Sequence, residues 1–187
     1  RLDPAVVFPD AEEIWLEIGF GGGEHLAWQA ARHPEAGFLG AEVFINGVAT
    51  LLREIEERKL ANVRIWREDA RLLLDALPDN SISRTFIVSP VPWPKLRHRE
   101  RRIVQPATLD RLAEVLLPGG ELRLATDDPS YPPWMVEHMS RHPAFRWLAE
   151  GPEDWRRRPD DWPQTRYEAK ALEAGRRPAY LRYARRG

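Results

Sequence analysis

A glycine-rich segment preceded by a carboxylate could bind a small nucleotide-like ligand. The chain reads Glu17-Ile-Gly19-Phe-Gly21-Gly22-Gly23 after an apolar stretch and before an amphipathic one. Glycines at such a strand-to-helix junction let the backbone approach a ligand closely and adopt positive φ angles. The spacing is G-x-G-x-G, and dinucleotide-binding folds use G-x-G-x-x-G. The spacing therefore disfavours one alternative, an NAD-dependent oxidoreductase.

Two acidic positions follow the next two apolar stretches. Glu42 ends the second stretch, and Asp69 with Ala70 follows the third. A carboxylate at Glu42 could accept hydrogen bonds from both hydroxyl groups of a ribose. Asp69 and Ala70 could contact an adenine edge, and the carboxylate before the glycines could accept from an ammonium group. Together, the glycine-rich segment and these three carboxylates favour S-adenosylmethionine as the cofactor. Its expected contacts are Glu17, Gly19, Gly21, Gly23, Glu42, Asp69 and Ala70.

A proline-rich cationic segment, residues 89–102, could bind nucleic acid. Its three prolines between Ser89 and Lys95 stiffen the backbone in an extended form. Trp93 offers a stacking surface, and one Lys and four Arg offer phosphate contacts. A rigid aromatic element beside a cationic run suits a structured RNA. His98 has no evident partner, so we expect it to contact phosphate and not to act as a general base.

Two further polar groups follow later apolar stretches. Asp127 and Asp128 come directly after the predicted fifth strand, where carboxylates would face a ligand. One of the two is expected to cap the following helix, which is a common role for Asp. The segment Thr165-Arg166-Tyr167-Glu168 combines a hydroxyl, a cation, an aromatic ring and a carboxylate.

The elements that must position these groups alternate between strand-like and helix-like patterns. Strands are predicted at 14–18, 38–43, 63–66, 85–88, 121–125, 145–148 and 180–183. Helices are predicted at 24–32, 45–59, 70–77 and 134–141, and from Pro106 to a stop at Pro118-Gly119-Gly120. Residues 151–164 are predicted to form a long loop lying on the domain. This order predicts right-handed crossovers, a mainly parallel sheet and ligands at the carboxyl ends of its strands.

Composition limits the class of protein. The 187 residues are 43% hydrophobic and contain no Cys, which excludes disulfides, a Cys-ligated zinc and a Cys nucleophile. Residues 1–92 carry nine basic and fifteen acidic side chains, and residues 93–187 carry nineteen and fourteen. An Arg-rich second half suggests a polyanion surface. No apolar run reaches the roughly 18 residues of a membrane span. We expect a single cytoplasmic domain over 1–187, with no membrane partner and no metal.

The segments described above, taken together and in their order along the chain, resemble the motifs of the bacterial tRNA (guanine-N7)-methyltransferase family. The matching segments are LEIGFGGGEHL (16–26), GAEVF (40–44), NVRI (62–65), EDA (68–70), PWPKLRH-RR (92–102), LPGG (117–120), ATD (125–127) and TRYE (165–168). The similarity covers the chain from about residue 14 to its end. It implies an α/β fold, namely a seven-stranded, mainly parallel class I methyltransferase sheet flanked by helices. It also implies methyl transfer from S-adenosylmethionine to guanine N7 in the tRNA variable loop.

The resemblance assigns roles residue by residue. Cofactor contacts are implied at Glu17, Glu42 and Asp69, and contacts to the tRNA substrate at Lys95, Asp127, Thr165, Arg166, Tyr167 and Glu168. We expect Arg97 and His98 to join the substrate contacts through phosphate, and Asp127 and Glu168 to cover catalytically for the loop Asp that this chain lacks. The basic N-terminal extension of the family is expected to be absent from this chain, which begins at Arg1.

The chain departs from the family at one loop. The usual F-P-D-P-W-P-K is here S-P-V-P-W-P-K, so Ser89 replaces Phe and Val91 replaces an Asp that the family treats as catalytic. Guanine N7 carries a lone pair and no proton, so it can attack a methyl group without a general base. Loss of one carboxylate near the developing charge is expected to cost about 3 kcal/mol, or about a hundredfold in rate.

Two alternatives to an active tRNA methyltransferase remain open. A tRNA-binding family member with impaired or no catalysis is favoured by Val91. A class I methyltransferase acting on a protein or a small molecule is disfavoured by the Arg-rich loop.

Overall fold

The fold is built on one seven-stranded sheet, described by a computed structural model that covers residues 1–187. The strands are β1 (Glu13–Ile18), β2 (Ala36–Ala41), β3 (Val63–Trp66), β4 (Ile82–Val88), β5 (Leu116–Thr126), β6 (Phe145–Trp147) and β7 (Ala179–Arg185). Their order in the sheet is β3-β2-β1-β4-β5-β7-β6. Strand β7 runs antiparallel to both neighbours, and the other pairings are parallel. The predicted seven-stranded, mainly parallel α/β fold is confirmed.

Eight α-helices and one 3-10 helix connect the strands. They are α1 (Pro4–Val7), α2 (Glu24–Arg32), α3 (Ile45–Arg58), α4 (Ala70–Ala76), α5 (Pro106–Val115), α6 (Tyr131–Arg141), α7 (Glu153–Arg156), α8 (Arg166–Glu173) and the 3-10 helix Leu96–Arg101. Helices α1, α7 and α8 are not among the predicted helices; α1 and α7 have only four residues each, too few to show a helical period. None of the helices combines the length and the apolar character that crossing a membrane requires.

The sheet separates two apolar cores. Alternate side chains of a strand point to opposite faces, so Leu16 of β1 joins one core and its neighbour Trp15 joins the other. The first core is covered by α4, α5 and α6, and the second by α2 and α3. Because both faces are covered, the central strands are buried almost continuously.

The predicted helix end at Pro118-Gly119-Gly120 is wrong. Helix α5 already ends at Val115, and Leu116 begins β5. Leu116 pairs with Ile82 of β4, and the register then jumps to the pair Arg84 and Glu121. The Pro-Gly-Gly turn is thus a bulge within the strand. Burial of Leu116 against β4 outweighs the turn signal that follows it.

The predicted second strand ends two residues early, at Ala41. The Glu42 side chain accepts hydrogen bonds from the backbone N–H groups of Val43 and Phe44, at 2.9 and 3.0 Å. Those two N–H groups are therefore not available to the sheet, and the chain turns away at this point.

A strap, defined here as residues 157–165, crosses the sheet edge before α8. The Arg123 guanidinium of β5 is buried and donates to both carboxylate oxygens of Asp161 at 2.8 Å, and to Glu121 at 2.9 Å. Trp162 is buried beside the Phe86 ring. The prediction of a loop over 151–164 is wrong at residues 153–156, which form the short helix α7. The remainder, from residue 157, lies on the domain as predicted, and the ion pair with the buried Arg123 fixes its position.

Helix α3 touches the glycine-rich turn because Gly47 has no side chain. A Cβ at this position would lie 2.1 Å from the carbonyl oxygen of Gly21. We expect Gly47→Ala to lower the free energy of unfolding by about 1–3 kcal/mol, the usual cost of overpacking. This loss exceeds the gain of about 1 kcal/mol in helix propensity. The control is Gly151→Ala, where an added Cβ meets no atom within 4 Å. Equal denaturant midpoints for the two variants would contradict the prediction.

The strap should loosen in acid. Two hydrogen bonds from Arg123 hold the pKa of the Asp161 carboxyl below its ordinary value of 3.8. A lowered pKa stabilises the fold above the unfolded-state pKa, and the contribution is lost as the pH falls through the folded-state value. We therefore expect the melting temperature to fall as the pH drops below about 4, and to fall less in Asp161→Asn. The matched control Asp160→Asn, at an exposed neighbour without an ion pair, should follow the wild type. Superimposable pH profiles for all three proteins would show that the pair does not contribute.

Candidate functional site

Three adjoining depressions lie at the carboxyl edge of the sheet, where the sequence predicts ligands to bind. The first cleft lies over β1, β2 and β4 and is bordered by Glu42, Asp69 and Val91. The second cleft lies over the glycine-rich turn. The inner pocket lies over β4, β5 and β7 and contains Asp127 and Glu168. Parallel strands bring these loops to one edge, as expected for a doubly wound sheet.

Glu42 forms a fixed acceptor at the border of the first cleft. Its carboxylate accepts from the N–H of Gly21 at 2.7 Å and from the N–H groups of Val43 and Phe44. An ionised carboxylate has about four acceptor positions. Three are used by the backbone, so Glu42 retains room for about one further donor. This leaves less capacity than the two ribose hydroxyls considered from the sequence.

Asp69 and Ala70 also line the first cleft, as predicted. The Asp69 side chain caps α4 by accepting from the N–H of Arg71 at 2.8 Å, and it remains half exposed. The cleft between these carboxylates has apolar walls that include Ile18 and Ile87. Apolar walls with acidic groups at the rim suit a flat heterocycle that carries hydroxyl and amino donors.

The glycines of the turn serve two different purposes. Gly19 and Gly21 have φ angles of +68° and +58°, and a Cβ on either would meet no atom within 4 Å. Their backbone conformation, and not crowding, therefore requires glycine, and open space lies beside them. Gly23 has φ +80°, but a Cβ there would lie 2.6 Å from the Leu51 side chain. Gly23 begins α2 and lines neither cleft.

Glu17 is buried beneath the second cleft and is bonded to His25. The Gln29 amide nitrogen donates to the carbonyl oxygen of Asp161 at 2.9 Å, which fixes the orientation of the amide. The same nitrogen lies 3.3 Å from His25 Nε2 and can only donate, so Nε2 accepts. The other ring nitrogen of His25, Nδ1, then donates to the Glu17 carboxylate. The sequence did not predict this chain: Glu17, His25 and Gln29 are close in sequence, but the bond that orients the Gln29 amide is made with Asp161, 132 positions away.

The inner pocket brings together the predicted residues Asp127, Thr165, Tyr167 and Glu168. Asp127 accepts from the Arg176 guanidinium at 2.7 Å. The free space is only about 20 Å³, which suffices for one water molecule and not for a base.

Each carboxylate of this pocket is paired with an arginine, Asp127 with Arg176 and Glu168 with Arg158. Glu168 Oε1 accepts from Arg158 at 3.0 Å and from the Tyr180 hydroxyl at 2.6 Å. Burial, together with the bond to this carboxylate, raises the pKa of Tyr180, so the phenol remains a donor. No bond within the protein involves Glu168 Oε2, which therefore remains open to a further donor.

The Thr-Arg-Tyr-Glu motif also forms the start of α8. The Thr165 side chain caps the helix by accepting from the N–H of Glu168 at 3.2 Å. The N–H of Arg166 donates to Glu24 of α2 at 3.0 Å, and the Arg166 side chain is exposed. A Thr followed three positions later by Glu is a helix-start signal. This signal could have predicted α8 from the sequence.

The predicted cationic contacts of the proline-rich segment lie outside the three depressions, whereas Arg166 borders the second cleft. Lys95 and Arg97 are exposed at the start of the 3-10 helix, and His98 packs edge-on against Trp93. Arg97 Nε lies 3.3 Å from His98 Nε2. These side chains are free to meet a partner in solution, but they do not surround the inner pocket.

Arg102, at the end of the same run, has a different environment. It is buried, donates to the carbonyl oxygen of Pro92 at 2.6 Å and lies 4.8 Å from the ring centroids of both Tyr131 and Trp134. Desolvation lowers the pKa of this guanidinium. Through these contacts, Arg102 fixes the proline-rich loop to α6. Nothing in the sequence distinguishes it from its exposed neighbour Arg101.

The two positions at which the chain departs from the family pattern lie in different depressions. Val91 borders the first cleft and is 51% exposed. Ser89 lies in the wall between the second cleft and the inner pocket. Ser89 has φ +51° and Trp93 has φ +43°. Such angles are uncommon for residues other than glycine, and they cluster at functional sites.

Comparisons with known proteins agree with this geometry. A family model described as "Putative methyltransferase" matches residues 11–180. The tRNA (guanine-N(7)-)-methyltransferase of Rhodospirillum rubrum is 57% identical over 187 residues, which cover 100% of this chain and 73% of that protein. The tRNA (guanine-N(7)-)-methyltransferase of Paramagnetospirillum magneticum is 52% identical over 188 residues, which cover 100% of this chain and 78% of that protein.

Among solved structures, an rRNA methylase from Streptococcus thermophilus superimposes with a TM-score of 0.65 at 12% identity, covering 95% of this chain and 89% of that one. At this identity the likeness concerns the fold alone, which is that of class I methyltransferases. The relatives of high identity extend over the whole chain and over most of their own length. The chain therefore belongs to the tRNA (guanine-N7)-methyltransferase family.

Proposed function

We propose that this protein transfers a methyl group from S-adenosylmethionine to N7 of a guanine in tRNA. The observation that carries the proposal is the common wall of the second cleft and the inner pocket. Val88, Ser89, Thr165 and Tyr167 border both spaces. A cofactor in the clefts and a base in the pocket would meet at this wall. The names of the close relatives supply the nature of the base and of the RNA.

The residues of the two clefts suit S-adenosylmethionine. Glu42 offers an acceptor to a ribose hydroxyl, and Asp69 and the apolar walls suit an adenine. Gly19 and Gly21 leave open space along the turn. When bound, the cofactor supplies a methyl group on a positively charged sulfur.

The inner pocket would act mainly by orienting the base. Guanine N7 loses no proton when it is methylated, so no general base is needed. The hydroxyl groups of Thr165 and Tyr167 and the free Oε2 of Glu168 offer contacts to the polar edge of a guanine. Alignment of two reacting atoms can supply several kcal/mol of a barrier.

The carboxylates of the pocket would also stabilise charge. Methylation at N7 leaves a positive charge on the base, and Asp127 and Glu168 are anions that stand beside it. Arg176 and Arg158 hold these carboxylates in place before the reaction begins. Charges arranged in advance need no reorganisation in the transition state.

Val91 supports the alternative of a tRNA-binding family member with impaired catalysis. Its side chain is apolar and exposed where the family has a carboxylate. The first cleft, and not the inner pocket, contains this position, so Asp127 and Glu168 can supply the negative charge near the base.

Methyl transfer can be tested directly with labelled S-adenosylmethionine. We expect label on an unmodified tRNA transcript and none on the same transcript with 7-deazaguanine in its variable loop, because that base has no N7 nucleophile. The measurement is the steady-state incorporation of labelled methyl groups into each of the two transcripts. Absence of label on either RNA, beside a working control enzyme, would overturn the proposal. Label restored by Val91→Asp would then establish the binding-protein alternative.

Glu168 offers a test of the charge in the inner pocket. Glu168→Gln keeps the shape and removes the charge, so we expect the turnover number to fall about a hundredfold, as when one preorganised electrostatic contact is lost. Affinity for S-adenosylmethionine, measured by calorimetry, should stay unchanged. The control is Glu173→Gln, on an exposed position of the same helix. Equal turnover numbers for the two variants would show that Glu168 does not contribute to catalysis.

A further inference from the structure

An arginine groove opens beside the inner pocket on the β7 side. It lies between α7, the residues that follow α7, the end of α8 and the segment that leads into β7. Its volume of about 940 Å³ is near the upper end of the range for ligand pockets, roughly 300–1,000 Å³. Four guanidinium groups line it, those of Arg156, Arg157, Arg158 and Arg177. Neither the cofactor nor the base accounts for this space.

The groove is continuous with the inner pocket. Glu168, Pro178 and Tyr180 border both. The groove shares no residue with the second cleft, which meets the inner pocket at its other side. The three spaces therefore follow one another along the sheet edge, with the inner pocket in the middle.

Three of the four arginines are available for a partner. Arg156, Arg157 and Arg177 make no ion pair within the protein, and only Arg158 is paired, with Glu168. Arg156 lies 4.9 Å from the Trp155 ring centroid, which gives it a fixed planar support. Unpaired guanidinium groups match phosphate oxygens in a two-pronged geometry.

The groove also contains acceptors. Glu153 and Asp160 line it together with the arginines. A ligand that carries only negative charge would be repelled by these carboxylates. A ribonucleotide offers phosphate oxygens to the arginines, and its 2′-hydroxyl and base amino groups can donate to the carboxylates. The mixture thus favours RNA over an acidic peptide.

We propose that the arginine groove binds the ribose-phosphate backbone of the nucleotides next to the target guanosine. The proposal rests on the proposed function, since it takes the inner pocket as the site of the base. RNA held there would present one base to the pocket from the side opposite the cofactor. The exposed cations of the 3-10 helix border neither the groove nor the inner pocket, so they would contact a different part of the RNA.

The test removes two groove cations that have no partner in the protein. Arg157→Ala/Arg177→Ala is compared with Arg53→Ala, an exposed arginine of α3 without an ion pair. Binding of an unmodified tRNA transcript is measured at several salt concentrations. We expect affinity to fall about tenfold or more, and the slope of log affinity against log salt to become shallower by about 0.7–0.9 for each lost phosphate contact. The KM for tRNA should rise, and affinity for S-adenosylmethionine should not change.

The outcomes separate the groove from the proposed function. If the double variant binds tRNA with the affinity and salt slope of Arg53→Ala, the groove proposal is overturned, whether or not the wild type transfers methyl groups. If the wild type binds tRNA without transfer and the double variant binds weakly, the groove stands and the proposed function fails. If the wild type does not bind tRNA, both fail. Arg157→Lys/Arg177→Lys, which keeps the charge, should recover part of the affinity.

Discussion

The candidate site depends on one ion pair, between the buried Arg123 of the sheet and the half-exposed Asp161 of the strap. A guanidinium that is shielded from water is destabilising without a partner, so this pair holds the strap on the sheet. The backbone of Asp161 also receives a hydrogen bond from Gln29, which leads through His25 to Glu17 under the second cleft. One residue of the strap thus links the cofactor side of the site to the pocket for the base.

This arrangement divides the molecule into a part that borders the two clefts and a part that borders the inner pocket and the groove. Strands β1, β2 and β4 with the turns that precede α2, α3 and α4 border the first cleft and the glycine-rich turn. The strap, α7, α8 and the arginine-lined segments around β7 surround the base pocket and the groove. They come late in the chain, where the excess of arginine lies. The division follows the usual separation between a fold that positions loops and loops that select a substrate.

Local patterns were sufficient for the scaffold and insufficient for the site. The helix over 24–32 and the strand over 63–66 are predicted to the residue, because their periodicity and their end signals coincide. The site also depends on pairs that no local pattern encodes, such as Arg123 with Asp161. At Leu116 a strong turn signal was overruled by long-range strand pairing. The functional roles of Asp127 and Glu168 stay predictions.

The closed state of the inner pocket bears on how such an enzyme would tell tRNA from the free guanine nucleotides of a cell. The space beside Asp127 holds about one water molecule, so a base can enter only after the pocket widens. A mononucleotide has few other contacts with which to offset that opening. A folded RNA has many, and its remote contacts can favour the open form. Discrimination by polymer length would then arise from the closed pocket itself, without any group that repels the smaller competitor.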